Sequence, residues 1–432
     1  MDCKVFIRKE WLQKTFWAIM DQGLFAISNF LLNILLARWL SPRDYGAFTV
    51  AYSVFLLCGA FHDALLTEPM MVFGPGRFRS QLQLYLSRLL LPHVIFVLLS
   101  STAVLVCTLL LWTLIGEVPL NVLVAVSVAI PFLLTLWLFR RMSFVHSGPH
   151  IAAQSAPLYL TTLLIGIVAL NQYRVLSPFP AFAAVTFASI CMILLLIYRL
   201  NVGLPPDLRS SRDILNAHWT YGRWALATSV LSWVPSNLYF LLLPIWAGLE
   251  SSGALRASLN LVMPLMHIFT ALGSALLPIF VKSRTRADFT AITCRIFTAL
   301  LLASVIYWLL VKHFGSIVIQ WVYQENYTLY GNFLWVIGLL PVAVAATSVF
   351  GNALRALEKP RTLFISYICS TVVTLTAGIW LVANWGVVGA ALGWVIAYAA
   401  ASGTVMWSFL RRGSFIETDL QPLMQTEFQR NS

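Results

Sequence analysis

Charged and amide side chains set inside long apolar runs are the residues of this chain with the most chemistry to offer. In hydrocarbon such groups are costly unless they have a partner or a task. The first apolar run, 15–39, carries Asp21, Gln22, Ser28, Asn29 and Asn33. Spacings of three, four and seven put Gln22, Asn29 and Asn33 on one helical stripe, with Asp21 and Ser28 beside it. The second run, 46–68, ends in His62, Asp63 and Glu68, just before Pro69. As consecutive spans these helices are antiparallel. At 1.5 Å of rise per residue, Asp21 sits roughly 9 Å above the inner end of its helix, nearly level with Asp63. Asp21, His62 and Asp63 therefore read as a proton- or cation-responsive cluster. The plainer reading is that they pack two helices together or wet an inner vestibule.

A second set lies in the C-terminal half. Ser229, Trp233, Ser236 and Asn237 share a face of the run 219–246, and Arg256, Asn260, Pro264 and His267 follow helical spacing along 252–281. A guanidinium donates two parallel hydrogen bonds to phosphate or carboxylate. Arg256, Asn260 and His267 thus suit an anionic headgroup or a sugar, on which Trp233 could stack. Against this, Arg256 can snorkel to the outer interface and His267 can be a satisfied core histidine. Arg140 and Arg141 read as topology anchors at an inner helix end. No GxxxxGK[ST] and no HExxH occurs, so neither a built-in ATPase nor a metal or other cofactor is expected. The six cysteines are scattered and lack a CxxC pair, the pattern of small apolar filler.

The elements that must position these residues are membrane spans. Of 432 residues, 59% are hydrophobic and 10% charged, with mean hydropathy +0.82. Soluble domains carry roughly 25% charged residues. Runs of the ~20 apolar residues that a span requires recur at 15–39, 46–68, 86–115, 119–139, 150–170, 178–199, 219–246, 252–281, 289–312, 332–354, 361–383 and 387–410. The expected fold is an all-α polytopic membrane protein with about twelve transmembrane helices in two six-helix bundles, 1–200 and 219–410. A cytoplasmic linker, 201–218, joins them, and a polar, poorly ordered cytoplasmic tail, 411–432, follows. The stretch FGSIVIQWVYQENYTLYG, between 313 and 331, reads as too short and polar to span and as lying along the outer interface. The basic first run is long and lacks a small-residue cleavage site, so it reads as the first span rather than a signal peptide.

The chain's formal net charge is +12. In a soluble protein that would suggest nucleic acid, but here the basic residues fall between spans. With both termini cytoplasmic, 23 of the 28 Lys and Arg lie in inner segments and five in outer ones, as the positive-inside rule requires. An internal repeat is also visible. Under a shift of 207 residues, Trp39 falls on Trp246, Gly46–Ala47 on Gly253–Ala254, and Gln22 and Asn29 on Ser229 and Ser236. Six spans per half make the repeats parallel, with a site expected at their interface. Proline falls within several spans, at Pro92, Pro131, Pro157, Pro235, Pro264 and Pro341, where it would kink the helices.

Three segments carry a family resemblance: DQGLFAISNFLLNILLARWLSPRDYGAFTVAYSVFLL at 21–57, GNALRALEKPR at 351–361 and GVVGAALGWVIA at 386–397. From about 15 to 410 the chain resembles the polysaccharide-specific transporters. These are the O-antigen flippase branch of the multidrug/oligosaccharidyl-lipid/polysaccharide exporter superfamily. The sequence departs from the family at Gln324, near which relatives often carry Gly. The resemblance implies two bundles in a V around a cavity. It implies alternating-access movement of a polyprenyl-diphosphate-linked oligosaccharide across the cytoplasmic (inner) membrane, for polysaccharide and lipopolysaccharide synthesis. The expected partners are that lipid-linked oligosaccharide, a proton or monovalent cation, membrane lipids and other polysaccharide-assembly membrane proteins, but no nucleic acid. No enzymatic activity is expected. The nearest rival is a multidrug or cation antiporter of the same superfamily. A membrane glycan polymerase or glycosyltransferase would need a large outer loop, and a scaffold would leave the polar stripes unexplained.

Overall fold

The computed structural model describes residues 2–115, 119–202, 212–284, 288–324, 326–327, 331 and 333–430. Among them every regular element is helical: α1 (Asp2–Trp39), α2 (Pro42–His62), α3 (Glu68–Phe73), α4 (Leu82–Ile115), α5 (Leu120–His146), α6 (Pro149–Gln172), α7 (Pro178–Leu200), α8 (Arg212–Ala247), α9 (Leu249–Ser283), α10 (Phe289–Tyr323), α11 (Leu334–Gly338), α12 (Leu340–Ala356), α13 (Pro360–Val373) and α14 (Ile379–Arg430). Eleven segments are long and apolar enough to cross a membrane. The last, Arg361–Arg411, has 51 residues. As one rod it would be about 76 Å long at 1.5 Å per residue, against a hydrocarbon core of about 30 Å. It is not one rod. Gly386 breaks it with φ 52° and ψ −125°, a conformation open to glycine and costly for other residues. A Cβ on Gly389 would overlap the Leu381 carbonyl, so the chain folds back on itself there. Two passes result, and the protein is a multi-pass membrane protein with the twelve-span pattern legible in its sequence.

Local chemistry explains where helices start and stop. Ser41 caps α2: its Oγ accepts from the Asp44 backbone N–H at 3.1 Å and donates to the Asp44 carboxylate at 2.7 Å, and Pro42 occupies the first turn. A π-helical turn, Asp63–Thr67, joins α2 to α3, and a second, Thr374–Gly378, joins α13 to α14. Pro92, Pro131, Pro157, Pro235 and Pro264 lie inside helices, as do Pro244 and Pro278. Pro341 lies within the span Leu334–Ala356, in the first turn of α12, where the missing N–H costs nothing. In α5, Pro131 leaves the Ser127 carbonyl without its helical donor, and Ser101 of α4 supplies one at 2.6 Å. The lipid-facing surface is apolar: Leu98, Leu99, Val106 and Leu110 of α4 and Leu302, Ile306, Leu309 and Leu310 of α10 are exposed.

Two expectations are corrected. Of the stretch 313–331, residues 313–323 continue α10 as unbroken helix, with Gly315, Ile319 and Tyr323 buried, while 325 and 328–330 lie outside the described residues. Gly315 lets Leu334 pack closely. The helix ends at Gln324, whose φ is 58° and ψ −133°. The tail expected to be poorly ordered continues α14 as helix to Arg430. Of the linker expected at 201–218, residues 203–211 lie outside the described residues, and α8 already begins at Arg212.

The chain divides into two compact units. One comprises Met1–Trp233 and Gly248–Gly253, the other Val234–Ala247 and Ala254–Ser432. In the first unit, Gly46 of α2 and Gly253 in the first turn of α9 touch. A Cβ on Gly46 would overlap the Leu249 carbonyl, and one on Gly253 would lie 2.6 Å from the Pro42 carbonyl. The two glycines paired by the 207-residue shift thus pack against each other. In the second unit, Tyr239 is wedged between Gly378 and Gly393, and the Trp394 indole donates to the Pro235 carbonyl.

Candidate functional site

The most strongly charged interior feature lies in the first unit. Asp21 on α1 has a side chain only 2% exposed, and its Oδ2 accepts from Arg140 Nη2 on α5 at 2.7 Å. Arg140 Nε adds a longer contact to Oδ1 at 3.4 Å, which makes the pair a two-pronged fork. The Arg140 guanidinium carbon lies 3.2 Å from the centre of the Phe25 ring. Phe25 in turn stacks on Tyr159 of α6, with centroids 4.9 Å apart. Phe25 follows Asp21 by one helical turn, so α1 presents the acid and the aromatic face together. A charge pair plus a cation–π contact is a sound way to hold an acid in a low-dielectric interior.

The structure corrects two sequence readings here. Arg140 is not a surface anchor, because it turns inward as the partner of Asp21. Nor do Asp21, His62 and Asp63 share hydrogen bonds or ion pairs. His62 lies wholly buried and bonds His93 of α4, with Nε2 and Nδ1 2.9 Å apart. Asp63 is exposed, and its carboxylate accepts from Thr67 within the π-helical turn. The physical reason is competition: each group found a nearer, complementary partner than the like-charged or neutral one expected.

The histidine contacts have a definite direction. Thr135 donates its only hydroxyl proton to the Pro131 carbonyl at 2.6 Å. It must therefore accept from His93 Nε2, 2.9 Å away. His93 Nδ1 is then the acceptor for the His62 Nε2–H. That leaves His62 Nδ1 as a buried nitrogen with no partner among the described residues. A third histidine, His218 of α8, sits on the π-helical turn. Its Nδ1 lies 3.1 Å from the Leu65 carbonyl, which can only accept, so Nδ1 carries the proton and Nε2 takes the Tyr85 hydroxyl at 2.7 Å. Gly222 permits this docking, since a Cβ there would come within 2.9 Å of the Ala64 carbonyl. One helix turn nearer the membrane centre on α8, Tyr221 donates to Glu68 at 3.0 Å.

The residues read as a cavity stripe have mixed fates. Gln22 is exposed and Asn29 half-buried. Asn33 is buried, accepts from the Tyr45 hydroxyl at 3.0 Å and donates to the Asn29 carbonyl at 2.7 Å, so it ties α1 to α2. Ser229 is half-buried, while Trp233 and Asn237 are nearly buried. In the second unit, Ser236 bonds Tyr398 at 2.9 Å and Asn260 donates to Tyr323 at 3.2 Å. Arg256 lies over the Phe240 ring at 5.7 Å, and His267 is exposed. None of these lines the open cavity of about 970 Å³ on the first unit, which is walled by Glu68, Phe73 and Arg77 on one side and the Asn216–Thr228 stretch of α8 on the other. The sequence held one signal for it, polar and aromatic residues at 216, 220, 221, 224 and 228. Among the described residues no cluster of three or more His, Cys, Asp or Glu could hold a metal ion.

An all-helical, twelve-pass chain with this buried pair has the fold of the multidrug and lipid-flipping exporters. No family model and no curated protein sequence matches the chain. Among solved structures it is similar to an inward-facing multidrug resistance MATE family transporter of the MOP superfamily. The TM-score is 0.78 and the identity 12%, over 93% of this chain and 99% of that one. It is also similar to the lipid II flippase MurJ, with TM-score 0.73 and 14% identity over 95% of this chain and 93% of that one. A MOP superfamily transporter from Pyrococcus furiosus, described as having a binding pocket of reversed polarity, gives TM-score 0.62 at 11% identity over 94% and 96%. These likenesses establish the fold.

Proposed function

We propose that this chain is a transporter, and specifically a flippase that carries a polyprenyl-diphosphate-linked oligosaccharide across the cytoplasmic membrane by alternating access. The observation that carries the reading is the pairing of Asp21 with Arg140. A pump for cationic drugs needs an unneutralised acid to attract its cargo, and here the buried acid of the first span is already matched by a cation. The pair is net neutral and offers no free carboxylate to draw in a cationic drug, which favours the flippase over the antiporter. In this reading the headgroup crosses through protein while the polyprenyl tail stays in lipid. Cytoplasmic termini follow from the Lys and Arg distribution.

The coupling site belongs to the first unit: Asp21 with its Arg140 partner, the buried His62 and the exposed Asp63. One elementary charge moved through 100 mV is worth about 2.3 kcal/mol. A proton taken up on one of these groups can thus bias reorientation. The deciding experiment reconstitutes the purified protein in proteoliposomes carrying a lipid-linked oligosaccharide in one leaflet. Its appearance in the other is followed with an impermeant glycosidase. Protein-dependent flipping supports the reading. Extrusion of cationic dyes without glycan movement would instead establish the antiporter. A flipping rate indifferent to pH, cation gradients and potential would remove the coupling site while leaving the flippase.

A further inference from the structure

We propose that the open cavity on the first unit is a docking site for the saccharide-diphosphate headgroup of a lipid-linked glycan, occupied before the cargo enters the transport path. This rests on the flippase reading above. One wall is a single stripe of α8, with Asn216, Thr220, Tyr221, Trp224 and Thr228 one turn apart, and the facing wall is Glu68, Phe73 and Arg77. Its volume of about 970 Å³ lies at the upper end of the ~300–1,000 Å³ typical of small-molecule sites. That is ample for a few sugar rings with a diphosphate.

The lining divides by chemistry. Arg77 is exposed, and its guanidinium stands over the Phe78 ring, 5.5 Å from the ring centre, with no hydrogen bond or ion pair among the described residues. A guanidinium with all its donors free beside a cavity is suited to phosphate. Trp224 is 68% exposed; Arg223 stands over its ring at 5.8 Å from the centre, and the exposed indole offers its other face to a sugar. The hydroxyls of Thr220 and Thr228 give their protons to Asn216 and Trp224 carbonyls on the same helix. Their lone pairs therefore face outward as acceptors. Glu68 is held by the Tyr221 hydroxyl and keeps a second carboxylate oxygen to accept from sugar hydroxyls. A cation for the diphosphate and acceptors with an aromatic face for the sugar fit a headgroup that contains both. A bare phospholipid headgroup has no use for the second set.

The test is binding of a radiolabelled short-chain polyprenyl diphosphate carrying one N-acetylhexosamine to the purified protein in neutral-lipid nanodiscs. Arg77→Ala is expected to weaken binding about 10- to 100-fold, the range for losing charge-assisted hydrogen bonds. Arg77→Lys should recover part of it. Trp224→Ala should weaken binding roughly three- to tenfold. Arg79→Ala, which removes an exposed charge outside the cavity, should leave binding unchanged. Equal binding by wild type and Arg77→Ala overturns the site, and if both still flip glycan in proteoliposomes the flippase reading survives it. A nucleoside diphosphate sugar or anionic phospholipid competing as well as the probe overturns the lipid-linked assignment. Failure of the wild type to flip any lipid-linked saccharide removes the function and the site together.

Discussion

In the first unit a full positive charge meets a full negative one in the interior: Arg140 reaches from α5 to Asp21 on α1, under Phe25 and Tyr159. In the second unit several buried or half-buried polar contacts are neutral. Asn260 meets Tyr323, Ser236 meets Tyr398, Thr347 meets Ser402 at 2.6 Å, and the Tyr307 hydroxyl meets the Leu261 carbonyl. Neutral pairs of this kind hold transmembrane helices together at modest gain, about 0.6 kcal/mol on average. A buried ion pair is different. Its net contribution to stability can be small, but removing one partner leaves a charge without compensation. The contrast is between a buried charge pair in one unit and neutral contacts in the other.

Several substitutions probe this difference. Arg140→Ala should have the largest effect, a loss of about 3–5 kcal/mol as Asp21 is left buried and unpaired. Thermal unfolding in detergent measures it, and adding Asp21→Asn should restore most of the loss. If the single variant unfolds like wild type, the first unit's charge pair is not what sets it apart. Gly46→Ala should cost about 3 kcal/mol, because its Cβ would run into the Leu249 carbonyl, a backbone atom that cannot step aside. Gly386→Ala tests the second unit at its sharpest turn, with an expected loss of about 1–3 kcal/mol from the positive φ. Gln324→Gly should stabilise by about 1 kcal/mol, since Gln324 holds a backbone shape that glycine adopts freely. Tyr323→Phe should be the mildest loss, about 0.6–1 kcal/mol. A cost near that of Arg140→Ala would erase the contrast between neutral and charged interiors.

Gln324 shows how sequence and structure can inform each other. The resemblance marked it as a place where relatives carry Gly, and the structure gives the reason: the chain leaves α10 there with a left-handed φ. The segment GVVGAALGWVIA is explained in the same way. Gly386 makes the turn, Gly389 lies on the Leu381 carbonyl and Gly393 on Tyr239. The misreadings have a common source. Arg140 reads as an anchor because it stands near a helix end, and 313–331 reads as lying along the outer interface because polar residues follow its apolar part.

The amino-acid order alone determined that the chain crosses a membrane many times and that its passes are helical. Each of these depends on hydrophobicity and charge summed along one stretch of chain, and the bilayer reads that sum directly. Which acid meets which base was decided only by the tertiary fold. Asp21 and Arg140 are separated by 119 positions, and nothing local says that α5 will turn that guanidinium toward α1. The same holds for the cavity on α8, whose lining becomes a site only when Glu68, Phe73 and Arg77 are brought opposite it by packing at the π-helical turn.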